Sequence, residues 1–287
     1  MASTPKQPKP TRLPQHRPSL VSAPAYDYRV YHLSIWETLL YGVAAFVVAG
    51  LVGLLFFGGL GRDAEGAATT ATRVLDAIIF VVPGIFAART FLKVRAEQIR
   101  RTRIHALETQ FRDMLDSLSS SLQAGGTVIQ GVQAARSDME RQYSPDAPIV
   151  KELTLIVAGF HNNVRLEDML LDLGERSGSE DVMSFATVFE IAYLRGADMR
   201  QAVRNTHQIL SEKMSIAAEI ETSLVASKNQ TLIMAAIPVL IVWMLKSGGN
   251  GMGEALRTPV GVVASAVAVG LFVASFALAR KIMTIKI

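Results

Sequence analysis

Few of the side chains that commonly do chemistry are present, and those few are scattered. None of the 287 residues is cysteine, which excludes disulfides, thiol catalysis and Cys-ligated metal. The five histidines, His16, His32, His105, His161 and His207, have no metal-ligand spacing. His161 and His207 fall in helical pattern and read as ordinary surface or core residues. There is no G-x-x-x-x-G-K-S/T run, so the chain is not expected to hydrolyse nucleotide by itself. The stretch Gly248-Gly249-Asn250-Gly251-Met252-Gly253 has the glycine content of a phosphate loop, but no strand precedes it, and a flexible turn between two apolar runs accounts for it. Ser119-Ser120-Ser121 has neither a nucleophile elbow nor a paired base. The acid pairs Glu167-Asp168 and Glu180-Asp181 open helical patterns, where they complement the helix dipole. No catalytic, cofactor-binding or metal-ligating residue is assigned, and the chain is not expected to be an enzyme.

The elements that carry these residues are set by four apolar runs. Half of the chain is hydrophobic and 19% is charged, an apolar balance for a soluble protein. Leu39 to Leu60 and Thr258 to Ala279 are each 22 residues without a charge, enough to cross the ~30 Å hydrocarbon core of a bilayer. Asn229 to Leu245 is a third span of 17 uncharged residues with Pro238 at its middle. Val74 to Leu92 is a fourth, although only Ala77 to Ala88 is free of charge. It crosses if Asp76 and Arg89 lie near opposite interfaces and Arg89 snorkels. Asp76 is read as an interfacial residue, not as a proton or ion site.

Charge gives the orientation. Arg89, Lys93, Arg95, Arg100, Arg101 and Arg103 crowd one span end, whereas the short loops 61–73 and 246–257 carry two Lys/Arg each. Positive residues stay inside, so the central block and both termini are expected in the cytoplasm. The same basic cluster suits anionic membrane lipid. No aromatics interleave with it, and nucleic acid is not expected as a partner. The expected organisation is a disordered, Pro-rich and basic tail over 1–35, a first transmembrane pair over 36–92, a cytoplasmic helical domain over 93–228, and a second pair with a short tail over 229–287.

Within the central block the apolar period is that of a helix. Stripes run through Leu107 to Leu122, Val128 to Met139, Ile149 to Phe160, Leu166 to Leu173, Val182 to Tyr193, and Met199 to Leu224. Start signals accompany them: Thr127 with Gln130, Ser177 with Glu180, and Asp198 with Gln201, each spaced as a capping box. Three short stretches repeat one pattern: TVIQGV at 127–132, RLEDML at 165–170 and DMRQAV at 198–203. Their separation is that of a helical hairpin. The fold class is therefore all-α, an integral membrane protein with about four transmembrane helices and a bundle of about six helices arranged as three hairpins.

The stretch QFRDMLDSLSSSLQAGGTVIQGVQAA resembles the helix-Ala-Gly-helix signature of the type II secretion system F domain, as does SGSEDVMSFATVFEIAYLRGADMRQAVRNTHQILSEK with its turn at Leu194 to Gly196. Thr258-Pro259-Val260-Gly261 before the last span, and Lys281-Ile282 with Ile285 and Ile287 at the end, resemble the tight-adherence (Tad) pilus branch. The resemblance covers roughly 104–287, and Ala197 stands where relatives often have a second glycine. It implies an inner-membrane platform protein that couples a cytoplasmic secretion or pilus ATPase to extraction and stacking of pilin subunits. It also implies a second F-domain protein as partner and a homo- or hetero-oligomer. Under that reading the ATPase contacts are expected at Arg165, Glu167, Asp168, Arg195, Asp198 and Arg200, beside two of the repeated turns. The alternative is a small transporter or channel with a regulatory helical domain, which needs polar groups deep in lipid. Only Asp76 and Arg89 come close to that requirement.

Overall fold

The structure is a computed structural model that describes residues 14–58, 69–195, 198–247, 255 and 258–283. The tail 1–13, the loop glycines 248–253, the turn residues Gly196 and Ala197, and the C-terminal Ile285 to Ile287 lie outside the described residues. Among the described residues the fold is all-α apart from one short hairpin. Strands β1 (His16–Pro18) and β2 (Pro24–Tyr26) precede helices α1 (Ile35–Phe57), α2 (Thr70–Gln123), α3 (Val128–Gln142), α4 (Pro148–His161), α5 (Leu166–Ser177), α6 (Glu180–Arg195), α7 (Met199–Ser247) and α8 (Pro259–Met283). The chain divides into two compact units, Met1–His32 with Arg95–Ile216, and Leu33–Val94 with Ala217–Ile287.

In the first unit the core is built from the expected stripes. Leu107, Phe111, Leu115 and Leu118 of α2, Met139 of α3, and Ile149, Leu153 and Ile156 of α4 are all at most 2% exposed. Leu173, Val182, Phe185 and Phe189 join them from α5 and α6. Phe111 meets Phe185 edge to face with ring centroids 5.4 Å apart, a geometry that adds to simple burial. α5 packs on α6 and α3 packs on α4, so these pairs do not fold about the motif turns. Each motif instead opens a helix: α3, α5 and α7 begin at Val128, Leu166 and Met199.

Two expectations are corrected. Residues 14–32, assigned to a disordered tail, form a hairpin with register His16 to Tyr26, Arg17 to Ala25 and Pro18 to Pro24, followed by a buried Asp27 and Tyr28. The prolines fall at the last paired position, where a missing N–H costs least. Polar partners on the helices supply what the tail's own apolar content cannot. The second correction concerns Ser177. It is the last residue of α5, and its hydroxyl donates to the Gly174 carbonyl (2.8 Å) and accepts from the Ser179 N–H (3.1 Å). It therefore joins two helices and does not form a box with Glu180.

In the second unit α1 and α2 are long and apolar enough to cross a membrane; 236–247 and 260–275 are shorter apolar helical stretches. α1 and α2 run antiparallel through matched notches. Phe80 sits against Gly50, Phe46 sits against Gly84, and the two rings meet edge to face at 5.3 Å. The outward side chains of α1 are apolar and uncovered, Trp36 at 80% exposure among them. Thr69 opens α2, its hydroxyl accepting the Thr72 N–H at 3.3 Å, and α2 then continues without a break for 54 residues, about 80 Å at 1.5 Å per residue. The second apolar run and the first helix of the block, read separately in sequence, are thus one helix. The same holds for the third run and the sixth stripe, both in α7.

Candidate functional site

Two features of the first unit are built to a specification: an open groove at two of the repeated turns, and a buried ion network that holds the N-terminal hairpin.

The groove begins where α2 stops. The Gly126 N–H donates to the Ser121 carbonyl and the Gly125 N–H to the Leu122 carbonyl, each at 3.1 Å. Together they make a Schellman motif, which needs a left-handed residue after the helix. Gly125 supplies it with φ +88°. The chain re-enters helix at once because Thr127 and Gln130 form the expected box. The Thr127 N–H donates to Gln130 Oε1 at 2.8 Å and the Gln130 N–H to Thr127 Oγ1 at 3.4 Å. At the start of α7, Asp198 Oδ1 accepts the N–H groups of Arg200 and Gln201 at 3.0 and 3.4 Å, which caps that helix. These two turns meet in one open groove of ≈ 510 Å³, lined by Leu122, Gly125, Thr127, Asp198, Met199 and Arg200 among others. Arg200 and Asp198 face each other across 3.5 Å, and both are well exposed.

The six residues singled out in sequence are therefore divided. Asp198 and Arg200 line the groove. Arg195 is exposed at the end of α6. Arg165, Glu167 and Asp168 form a separate cluster at the start of α5 and do not line the groove. Arg165 Nε donates to Glu167 Oε1 at 2.7 Å and lies 3.8 Å from Asp168 Oδ2. The Glu167 hydrogen bond, helped by the nearby charge of Asp168, raises the pKa of Arg165. Glu167 itself is buried, so Arg165 and Asp168 are the members of this cluster that a partner can reach.

The second feature has no counterpart in the sequence reading. Arg176 of α5 and Glu152 of α4, 4% and 1% exposed, make a two-pronged pair: Nη1 to Oε1 at 2.8 Å and Nη2 to Oε2 at 2.7 Å. Arg176 Nε donates to Asp172 at 2.8 Å, and Nη1 also donates to the Tyr26 carbonyl at 2.9 Å. The hairpin side completes the set. The Tyr28 hydroxyl donates to Glu152 Oε1 at 3.1 Å, and the Tyr28 N–H donates to the Arg176 carbonyl at 2.9 Å. Arg103 of α2 donates to the Tyr26 hydroxyl and stacks over the Tyr31 ring at 4.3 Å. Such pairs persist in a low-dielectric interior only when further hydrogen bonds satisfy them, and here each side-chain nitrogen of Arg176 is bonded. Burial raises the pKa of Tyr28, and the adjacent Glu152 carboxylate raises it further. The network thus fastens the hairpin to α4 and α5.

Asp27 gives the hairpin segment itself a pH dependence through Arg17 and Arg29. Burial raises its pKa, but the bonds from Arg29 (3.1 Å to each carboxylate oxygen) and the charge of Arg17 outweigh this, and the net shift is downward. A carboxyl whose folded-state pKa is depressed contributes stability above its unfolded value, about 3.9, and that stability is lost as pH falls through the folded value. Hydrogen exchange of residues 14–32 is expected to show full protection at about pH 5 and progressive loss below about pH 4. Asp27→Asn should flatten that acid limb.

Compared with family models, curated proteins and solved structures, the chain finds no match.

Proposed function

We propose that this chain is an inner-membrane platform protein of a tight-adherence pilus or type II secretion assembly machine. In this reading it crosses the membrane four times, with the helical block and both termini in the cytoplasm. It couples a cytoplasmic ATPase to the extraction and stacking of pilin subunits, together with a second F-domain protein. The observation that carries the reading is the coincidence of three repeated motifs with three helix starts, two of which share one groove. The arrangement of helix ends supports the four-span topology. Lys246 Nζ, one residue from the end of α7, donates to the Phe56 and Gly58 carbonyls at 3.2 and 3.4 Å. A cation there suits the negative end of α1, and it sets the C-terminal ends of α1 and α7 side by side. Both helices then leave the membrane on the face opposite the basic cluster at 89–103, as the charge distribution requires. The block's role is docking and transmission of movement, with Asp198 and Arg200 exposed at a helix start on the groove.

Charge reversal tests the docking surface. In cells that build the filament, Arg165→Glu, Arg195→Glu and Arg200→Glu together are expected to abolish piliation while leaving the protein at normal abundance in the membrane. None of the three arginines is buried, so the fold should survive. Normal piliation in the triple variant would contradict the assignment.

A further inference from the structure

The second unit contains an apolar cleft of ≈ 740 Å³ to which α1, α2, α7 and α8 all contribute. Val52 and Phe56 come from α1, Pro83 from α2, Val242 from α7, and Val269 and Phe272 from α8. Among the described residues, no charged side chain lines it. Both prolines inside long helices, Pro83 and Pro238, face it. Water is a poor occupant, because a buried water needs two to four polar partners and the walls offer almost none. The cleft is within the size range of ligand sites. Its neighbourhood is apolar as well: Leu271 and Val273 of α8 are exposed at 66% and 59%. One end carries a charge. Val242 lines the cleft and Lys246 follows it one turn later on the same face of α7, with its ammonium on the carbonyl of Phe56, another wall residue.

We infer that this cleft is a lipid site that takes one acyl chain of an anionic phospholipid, with the phosphate end at Lys246. The inference rests on the membrane reading above. A hydrocarbon chain is the occupant that apolar walls in a bilayer demand, and the cation at one end selects a negative headgroup at that end only. The cleft would then be filled while Pro83 and Pro238 keep room beside them.

The test uses the full chain reconstituted in bilayers of phosphatidylglycerol and phosphatidylcholine, then released into mild detergent and weighed intact. One retained phospholipid per chain, enriched in phosphatidylglycerol, is expected. Filling the cleft with Ala49→Phe and Ala268→Phe should remove it, whereas Leu271→Phe on an exposed face should not. Lys246→Gln should reduce the phosphatidylglycerol preference about fivefold, the effect of one basic residue at a lipid surface. No retained lipid in the wild type, or retention unchanged by the filling pair, would overturn the inference. A lipid-free dimer as the retained species would also overturn it, because a second copy would then occupy the cleft. Flotation of the same variants with vesicles reports separately on the membrane reading: chains that float but hold no lipid defeat the lipid site alone.

Discussion

Arg176→Ala is expected to cost about 3–5 kcal/mol, the range for removing one partner of a buried ion pair. The substitution leaves Glu152, 1% exposed, with the Tyr28 hydroxyl as its one remaining side-chain hydrogen-bond partner among the described residues. It also removes the bonds to Asp172 and to the Tyr26 carbonyl. The loss should show twice: as a lower thermal midpoint for the full chain in detergent, and as rapid proteolysis within residues 14–32, whose hold on α4 and α5 depends on these bonds. The double replacement Arg176→Met with Glu152→Leu should recover much of the thermal loss, because an apolar pair of similar volume carries no stranded charge. It should not recover protection of the hairpin, which would still lack a partner for Tyr28. If Arg176→Ala left both readouts unchanged, the network would not be what holds the hairpin.

Gly53→Val should have the next largest effect. Pro83 has no N–H, so the Ile79 carbonyl loses its helical donor. Gly53 of α1 lies against that carbonyl, and a β-carbon built there would stand 2.7 Å from the Ile79 oxygen. The obstruction is backbone and cannot rotate aside, so the two helices must separate. Overpacking of this kind costs about 1–3 kcal/mol, and separation also undoes the Phe46 and Phe80 notches. Thermal unfolding in detergent should show the loss. Gly42→Ala is the contrast: its nearest neighbour is Leu92 Cδ1 at 3.7 Å, an ordinary contact, and alanine favours helix over glycine by about 1 kcal/mol. Gly42→Ala is therefore expected to be neutral or stabilising.

Much of the helical block is legible in the sequence because its signals are local. The stripes from Leu107 to Leu122 and Ile149 to Phe160 follow the helical period, and the Thr127–Gln130 box lies within one turn. The stop at Gly125-Gly126 needs only the left-handed conformation that glycine permits. What escapes is what depends on distant partners. Tyr28 and Glu152 are 124 residues apart in sequence, and nothing in the spacing of either announces a shared hydrogen bond. Residues 14–32 read as a solvated tail because the partners of Tyr26 and Tyr28, Arg176 and Glu152 above all, lie on other elements. The candidate site divides in the same way. Asp198 and Arg200 were found through the repeat and do line the groove, whereas Arg165, Glu167 and Asp168 share the motif but lie in another cluster. A repeat specifies how a helix starts, and tertiary packing decides which starts meet.

The claim that matters most is the platform assignment, and its partners test it most directly. The tagged full chain, taken from its own cells in mild detergent and analysed by mass spectrometry, is expected to bring down a secretion-type ATPase and a second F-domain membrane protein. The Arg165, Arg195 and Arg200 charge-reversal variant should lose the ATPase and keep the membrane partner. Recovery of the chain alone, or with unrelated membrane proteins in repeated preparations, would contradict the assignment.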